Sequence, residues 1–417
     1  MAQGETGKRV LLVHPTGNAF VRHTALALEQ AGMLAGFHTT IAWRPGGALD
    51  RMLPAGLQRE LARRSYAGIP PELIHTHPWR EAMRLAAVRQ RWGGFTRHET
   101  GRFSFDAVTR AMEREVAAAV RTGPWLGAVY AYDACALDIF AAAKQRGMRN
   151  IFDLPIGYYR AARRIYAEER ELKPEWASTL SGIHDSPEKL ARKDRELALA
   201  DAIIVASRFT EETLKESPQP IAAPVYRIPY GAPPVGGPRT ATRRDDPLRV
   251  LFVGQIGQRK GVAYLLAAMD RLAAPATLTL LGRPVALPPV LKQALERHRW
   301  IESAPHSEVL RLMREHDVLV FPSLFEGFGL VILEAMAQGT PVIATPHTAA
   351  PDLLDDGRDG FIVPIRSADG IAARLTQLGE DRDLLAQMSE AARQKAAKCT
   401  WDEYRRKMVE DVTAVLK

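Results

Sequence analysis

Two cysteines, Cys135 and Cys399, are all that the 417 residues contain. So few, so far apart, exclude a disulfide framework and a cysteine-rich zinc site, and both read as ordinary buried thiols. Long apolar runs are missing too. The N-terminus MAQGETGKRVLLVHP offers only Val10 to Val13, too brief for a signal-peptide core, and no later run is long enough to span a bilayer. A cytoplasmic protein is expected. No short-period repeat and no low-complexity tract occurs. No G-x-G-x-x-G follows the first apolar strand, which disfavours a nicotinamide dehydrogenase.

What the chain does have is nearly half apolar and a quarter charged residues, the balance of a globular protein with a large core. Its length favours more than one domain. The formal charge of +8 is unevenly spread: residues 1–240 hold 33 Lys and Arg against 25 Asp and Glu, and residues 241–417 hold 23 of each. An anionic partner of the first half is one reading, either a phosphorylated acceptor or an acidic membrane surface on the cytoplasmic face; a solvated Arg-rich surface is the other.

Strand and helix patterns alternate: Val10 to Val13, a polar loop HPTGNAF, a helix through Ala31 closed by Gly32, an apolar unit at His38 to Trp43, then GAVYAY, ALDIFAAAKQRG, NIFDL, ARKDRELALA and ADAIIVAS. Such alternation predicts parallel sheets covered by helices. Proline, glycine and paired charges then replace the apolar periodicity in GAPPVGGPRTATRRDDP, as in a solvated linker. The pattern restarts with LRVLFVG, a helix from Val262, ATLTLLG, HDVLVFPS, LVILEAMAQ and TPVIAT. The expected organisation is α/β with two doubly wound Rossmann-like domains facing a cleft: residues 1–235, a linker over 236–247, residues 248–398, and a terminal amphipathic helix, 399–417, capped by Thr400 and packing back on the first domain.

The chemistry concentrates in VLVFPSLFEGFGLVILEAMAQGTPVIAT. A buried strand runs into Glu326-Gly327-Phe328-Gly329 and on into a helix beginning near Leu330. Glycines there let an anion approach the free N–H groups and the positive end of the helix dipole, so a diphosphate fits. Glu326 and Glu334 flank the helix start, roughly 10 Å apart at the helical rise, able to bond hydroxyls at two ends of a nucleotide sugar and too far apart to share a proton. Glu334 sits among apolar neighbours and needs a partner. In FVGQIGQRKGVAYLLAAM a strand leads to a glycine-rich turn holding Arg259 and Lys260, cations placed to meet phosphate oxygens.

Together these stretches resemble the retaining glycosyltransferases of the GT-B fold, family 4 type (glycosyl transferases group 1), which carry two glutamates with seven residues between them, matched here by Glu326 and Glu334, followed by a small-residue strand. The likeness is close over residues 248–365 and weakest over the first 190. It implies a nucleoside diphosphate sugar as co-substrate, with no further cofactor and no metal, and retention of configuration. It also implies that Glu334 holds the ribose, that Glu326 and the backbone of Gly327, Phe328 and Gly329 meet sugar and diphosphate, and that Lys260 is the phosphate-binding lysine. Gly254, Gln255 and Leu330 complete the donor side, Gln255 standing where most members have an arginine, with Arg259 as its substitute. Gly17 and Asn18 occupy the loop that touches phosphate and acceptor. Where many members place a histidine near the donor sugar this chain has Asp153, a catalytic candidate or else a structural aspartate in a turn before Pro155. The acceptor is left open among glycan, lipid-linked and small-molecule alcohols; nucleic acid is not expected. A silent or repurposed nucleotide-sugar-binding protein, epimerase or phosphorylase-like, is the alternative.

Three weaker signals are set aside. His75 and His77 lack a third ligand nearby in sequence and read as loop histidines rather than a metal pair. Asp381-Arg382-Asp383 lies in a charged helical tail. The run GYYRAARRIYAEERELKPEW reads as an ordinary amphipathic helix before a cleft cover or membrane contact.

Overall fold

The computed structural model describes residues 7–47, 50, 54–62, 64–180, 185–237 and 246–417. Most of the expected linker, residues 238–245, lies outside them.

Two all-parallel sheets organise the chain. The first has seven strands: β1 (Val10–Val13), β2 (Leu34–Thr39), β3 (Ile74–Thr76), β4 (Ala128–Tyr132), β5 (Arg149–Leu154), β6 (Ala202–Val205) and β7 (Val225–Arg227), in the order 3-2-1-4-5-6-7. The second has six: β8 (Leu248–Val253), β9 (Ala276–Leu281), β10 (Arg299–Ile301), β11 (Val318–Phe321), β12 (Val342–Ala344) and β13 (Gly360–Ile362), in the order 10-9-8-11-12-13. Strand order reverses between β1 and β4 and again between β8 and β11. In open α/β sheets ligands bind outside the carboxyl ends of the strands at such reversals.

The apolar unit expected at His38 to Trp43 is displaced. The strand is Leu34–Thr39, registered Val10 to Leu34 against β1, and Gly36 disguised it. A Cβ there would stand 3.2 Å from the His75 ring, so the position is glycine for room beside β3. His75 therefore lies in a strand, not a loop.

The helices that position the site are α1 (Ala19–Gln30), α2 (Pro78–Arg89), α3 (Phe105–Thr122), α4 (Tyr159–Leu172), α5 (Arg208–Thr213), α6 (Val262–Met269), α7 (Leu330–Ala337) and α8 (Trp401–Val415). Asn18 caps α1 by accepting from the Val21 N–H, and Thr400 caps α8 by accepting from that of Glu403, each satisfying an orphan first-turn donor. The last helix returns to the first sheet's lobe. Tyr404 Oη lies 2.7 Å from Thr24 Oγ1 of α1, Trp401 stacks on His23 at 4.0 Å, and Met408 and Val412 are fully buried. One apolar cluster runs from Val10 and Leu12 through Tyr230 to Phe328, Leu333 and Val342, so the two lobes share core.

A second connection was hidden in the run set aside as an ordinary amphipathic helix. Its helix α4 leaves the first sheet and buries Glu169 against the second lobe. There Glu169 accepts from Gln258 Nε2 (2.5 Å), Tyr264 Oη (2.9 Å) and Arg366 Nε (2.9 Å). A fully buried carboxylate is tolerable only when its lone pairs are met by such donors. Just beyond, Thr179 Oγ1 accepts from the Gln258 N–H at 2.9 Å, so the chain after α4 straps the turn that carries Arg259 and Lys260.

Candidate active site

Three loops meet where the carboxyl ends of the sheets face one another. From β11 the chain runs through Phe325 and Glu326 to Gly329, which caps α7 in the left-handed region at φ 84°. A side chain at Gly329 would be strained and would press on the Phe321 ring, 2.7 Å from a built Cβ. Approach explains Gly327: a Cβ there would sit 1.9 Å from the Pro155 carbonyl in the loop after β5. Its own carbonyl accepts from Ser207 Oγ at 2.5 Å and Thr210 Oγ1 at 2.9 Å, at the start of α5. The glycine loop of the second lobe is thus clasped by the first, through residues whose hydroxyls gave no warning in the sequence.

Lys260, Arg259 and Glu326, drawn from two separate stretches of sequence, converge. Lys260 Nζ donates to Glu326 Oε2, and Arg259 Nη1 donates to the same oxygen at 3.1 Å and to the Phe325 carbonyl at 3.0 Å. Phe321 lies beneath Lys260, its ring centroid 4.4 Å from Nζ, a cation–π contact in a partly desolvated site. Burial, then Arg259, lowers the Lys260 pKa to about 8 against the opposing pull of Glu326. Burial alone would raise the Glu326 carboxyl, but the two cations outweigh it and its pKa is lowered. Two cations and one carboxylate leave a net positive cluster at the start of α7, whose first-turn N–H groups have no acceptor within the helix.

Glu334 stands on α7 with its carboxylate partly buried and finds its partner in His306, Nε2 to Oε1 at 3.0 Å. That bond raises the His306 pKa. Nothing in the sequence paired these residues, which are 28 positions apart. Gly254 follows β8 directly and Gln255 after it is exposed; the Lys260 Cε lies 3.8 Å from where a Gly254 Cβ would be. Leu330 opens α7, half-buried, and Phe328 is buried with its ring 4.9 Å from Tyr230. Gly17 and Asn18 lie in the loop after β1, at the first sheet's reversal, where Gly17 leaves room for Tyr66, whose Oη would be 2.5 Å from a Cβ.

Asp153 belongs to a different cluster. It lies within β5, not in a turn before Pro155, and is 2% exposed. Tyr130 Oη donates to it at 2.5 Å. Burial raises its pKa to about 7, against hydrogen bonds from Tyr130 and Tyr132. Tyr230 faces the same carboxyl electrostatically and touches Phe328, which links this cluster to the glycine loop.

The weaker signals resolve in space. His75 and His77 do have a third histidine near them: His38 stacks on His75 at 4.7 Å, and its Nδ1 lies 3.0 Å from His77 Nε2. Among the described residues the one group with metal-ligand spacing is His98, Glu99 and Asp185, where Lys189 already pairs with Asp185 at 2.9 Å. Asp381 caps the helix Arg382–Ala396 by accepting from the Leu384 N–H.

Two parallel doubly wound sheets with loops converging between them define the GT-B fold. Residues 238–395 match the family model Glycosyl transferases group 1, and this part of the chain is a group 1 glycosyl transferase domain. The glycogen synthase of Mycobacterium tuberculosis is 30% identical over 205 residues, 47% of this chain and 50% of that protein. The chain spans about half the length of the curated relatives it matches. Among solved structures, a sucrose-phosphate synthase from Thermosynechococcus elongatus superposes with TM-score 0.65 at 17% identity, covering 98% of each chain. The Anabaena protein HepE, in complex with UDP-glucose, superposes with TM-score 0.61 at 14% identity over 97% of this chain and 99% of that one. Among the described residues no helix is long and apolar enough to cross a membrane.

Proposed function

We propose that the protein is a glycosyltransferase that moves a sugar from a nucleoside diphosphate donor to an alcohol acceptor with retention of configuration. The observation that carries this reading is the convergence of Lys260 and Arg259 on Glu326 at the start of α7, beside the second sheet's reversal. Complexes of the HepE structure with UDP and with UDP-glucose support a donor of that class.

In this reading the diphosphate takes over Lys260 and Arg259 and lies against the N–H groups at the start of α7, while Glu326, released, accepts from sugar hydroxyls. Glu334 accepts from the ribose. Arg259 supplies the second cation in place of the arginine that Gln255 replaces. As the bond from the sugar's anomeric carbon to the diphosphate oxygen breaks, negative charge gathers on that oxygen. Lys260, Arg259 and the helix end are already oriented to meet it, which needs no reorganisation and no metal ion. The acceptor hydroxyl attacks from the face the diphosphate leaves, its proton passing to a phosphate oxygen, and the new bond keeps the original configuration. No protein nucleophile takes part. The shared core and the α4 strap hold the two lobes so that acceptor and donor meet with water excluded.

The test is a thermal-shift panel of nucleotide sugars and free nucleotides, since a ligand bound only by the folded state raises its stability. One donor should raise the midpoint, and Glu334→Ala should abolish the effect. Transfer should be lost in Glu326→Ala and in Lys260→Ala with the fold intact. A fully active double variant, or no shift with any donor, would overturn the assignment.

A further inference from the structure

Nine large apolar side chains stand exposed among the described residues, and five of them fall in residues 79–105: Trp79, Val88, Trp92, Phe95 and Phe105. Three of these join through the buried Phe103 or to each other as a continuous aromatic surface. Trp79 meets Phe103 at 6.2 Å, Phe103 meets Phe95 at 6.0 Å, and Phe95 meets Trp92 at 6.0 Å, while Phe105 is two residues from Phe103. Arg89, Arg91, Arg97 and Arg102 are exposed in the same segment. The segment's acidic groups are turned inward and spent. Glu81 is held by Arg64 and Arg84, Asp106 by Lys189, and Glu99 accepts from the Ser186 N–H. The outward surface is therefore aromatic and cationic.

This is a built surface. Phe103 N–H donates to the Phe95 carbonyl at 2.8 Å and Gly101 N–H to that of Arg97 at 2.8 Å, while Ser104 caps α3. Topology fixes where it lies. Helix α2 leaves the carboxyl end of β3, and α3, which leads into the parallel strand β4, begins at that same end. Trp79 and Phe105 thus stand on the rim of the first lobe that borders the cleft.

We infer that this rim docks on an anionic lipid bilayer. Tryptophan and phenylalanine settle at the depth of the headgroups, and exposed arginines meet anionic lipids. An exposed aromatic patch of this extent is otherwise avoided in a soluble chain. A second copy fits poorly, because a twofold contact would set these arginines against each other with no outward carboxylate in the same segment to receive them. Single-stranded nucleic acid needs a row of open ring faces for successive bases, and here Phe103 is buried and Phe95 stacks on it at 26° between planes. Docking would hold the cleft mouth at the membrane surface.

The test is flotation of the full chain with vesicles of phosphatidylcholine alone or with a third phosphatidylglycerol, at 0.1 M and 0.5 M salt, which reads the surface without reference to donor or transfer. Binding should require phosphatidylglycerol and weaken at high salt, where surface charge is screened. It should fall at least tenfold in Trp92→Ala/Phe95→Ala and, separately, in Arg91→Glu/Arg97→Glu. Both changes are confined to exposed side chains, and an unchanged circular dichroism melt would confirm folding; should the aromatic variant melt early, the charge variant decides alone. The inference is overturned if the wild type ignores phosphatidylglycerol vesicles or if folded variants bind as well as it does. It is overturned equally if the variants instead abolish a concentration-dependent dimer in sedimentation, or RNA binding, with no vesicle binding in the wild type.

Discussion

Lys260 donates to Glu326, so a buried cation supplied by one stretch of the second lobe is held by a carboxylate supplied by another. A buried lysine without such a partner would surrender its proton far more readily. The pair therefore keeps the cluster charged and ready while preventing either group from standing alone in a desolvated site.

A pH dependence follows from the Lys260 pKa of about 8. Below that pH the side chain is cationic and above it neutral, so affinity for a nucleoside diphosphate should fall as pH rises through about 8. Binding there should take up a proton, because the diphosphate favours the charged form. Glu326 raises the Lys260 pKa, so Glu326→Gln should move the fall to lower pH. Lys260→Arg, whose guanidinium stays charged, should remove it. Titration calorimetry in two buffers of different ionisation enthalpy checks both points, and an affinity level from pH 7 to 9.5 in the wild type would sink the assignment.

Glu334 offers a split between binding and pairing. A charged hydrogen bond to a ribose hydroxyl is worth about 1.5–3 kcal/mol, so Glu334→Gln should weaken nucleotide binding roughly ten- to a hundredfold. His306 is largely exposed and its pair with Glu334 is screened, so His306→Ala should leave binding within a few-fold. Equal losses in both would mean that the pair, not the carboxylate alone, holds the ribose.

How much of this was legible in the sequence can be judged from particular residues. Glu326, Glu334 and Lys260 were readable because their neighbours are contiguous: a strand, a glycine turn and a helix in one short stretch leave little freedom for where a side chain goes. Strand β2 was misplaced because Gly36 broke its apolar run, and glycine there answers to a ring on β3 that only the folded sheet brings near. Glu169 looked like one more surface carboxylate in a helix rich in Arg and Glu, since its three donors come from 89, 95 and 197 residues away. The same holds for His38, which completes the histidine group from another strand, and for Ser207 and Thr210, whose acceptor is a backbone carbonyl. Local chemistry shows in sequence, and partnership across lobes does not.

The strap makes its own prediction. Removing a buried, multiply bonded carboxylate strands its partners, at a cost of about 3–5 kcal/mol. Glu169→Ala should therefore lower stability by that order in urea denaturation, and it should also loosen the Arg259–Lys260 turn through Gln258, weakening donor binding. The half-exposed Glu168, one residue earlier, pairs with Arg366 and Arg164, and Glu168→Ala should cost under about 1 kcal/mol. Similar effects of the two substitutions would show that α4 lies on the second lobe without securing it.

Asp153 gives the sharpest test of stability against function. Its pKa in the folded protein, about 7, lies above the ordinary value of 3.8. Between those values the folded protein holds a proton that the unfolded chain has released. Stability should therefore fall as pH rises from about 4 to about 7 and then level off, by at most about 4 kcal/mol from this group. Asp153→Asn keeps an oxygen to accept from Tyr130 and can never ionise. It should match the wild type near pH 4.5 and exceed it at pH 8, where the wild type carries a buried charge. The comparison is a pair of denaturation curves at each pH, and a difference independent of pH would show that the carboxyl is not the buried acid described. If transfer in Asp153→Asn survives at pH 8 together with the gain in stability, Asp153 is a structural acid beneath the site. If transfer is lost while stability rises, the charge was retained against the interests of the fold, and the catalytic reading of Asp153 stands.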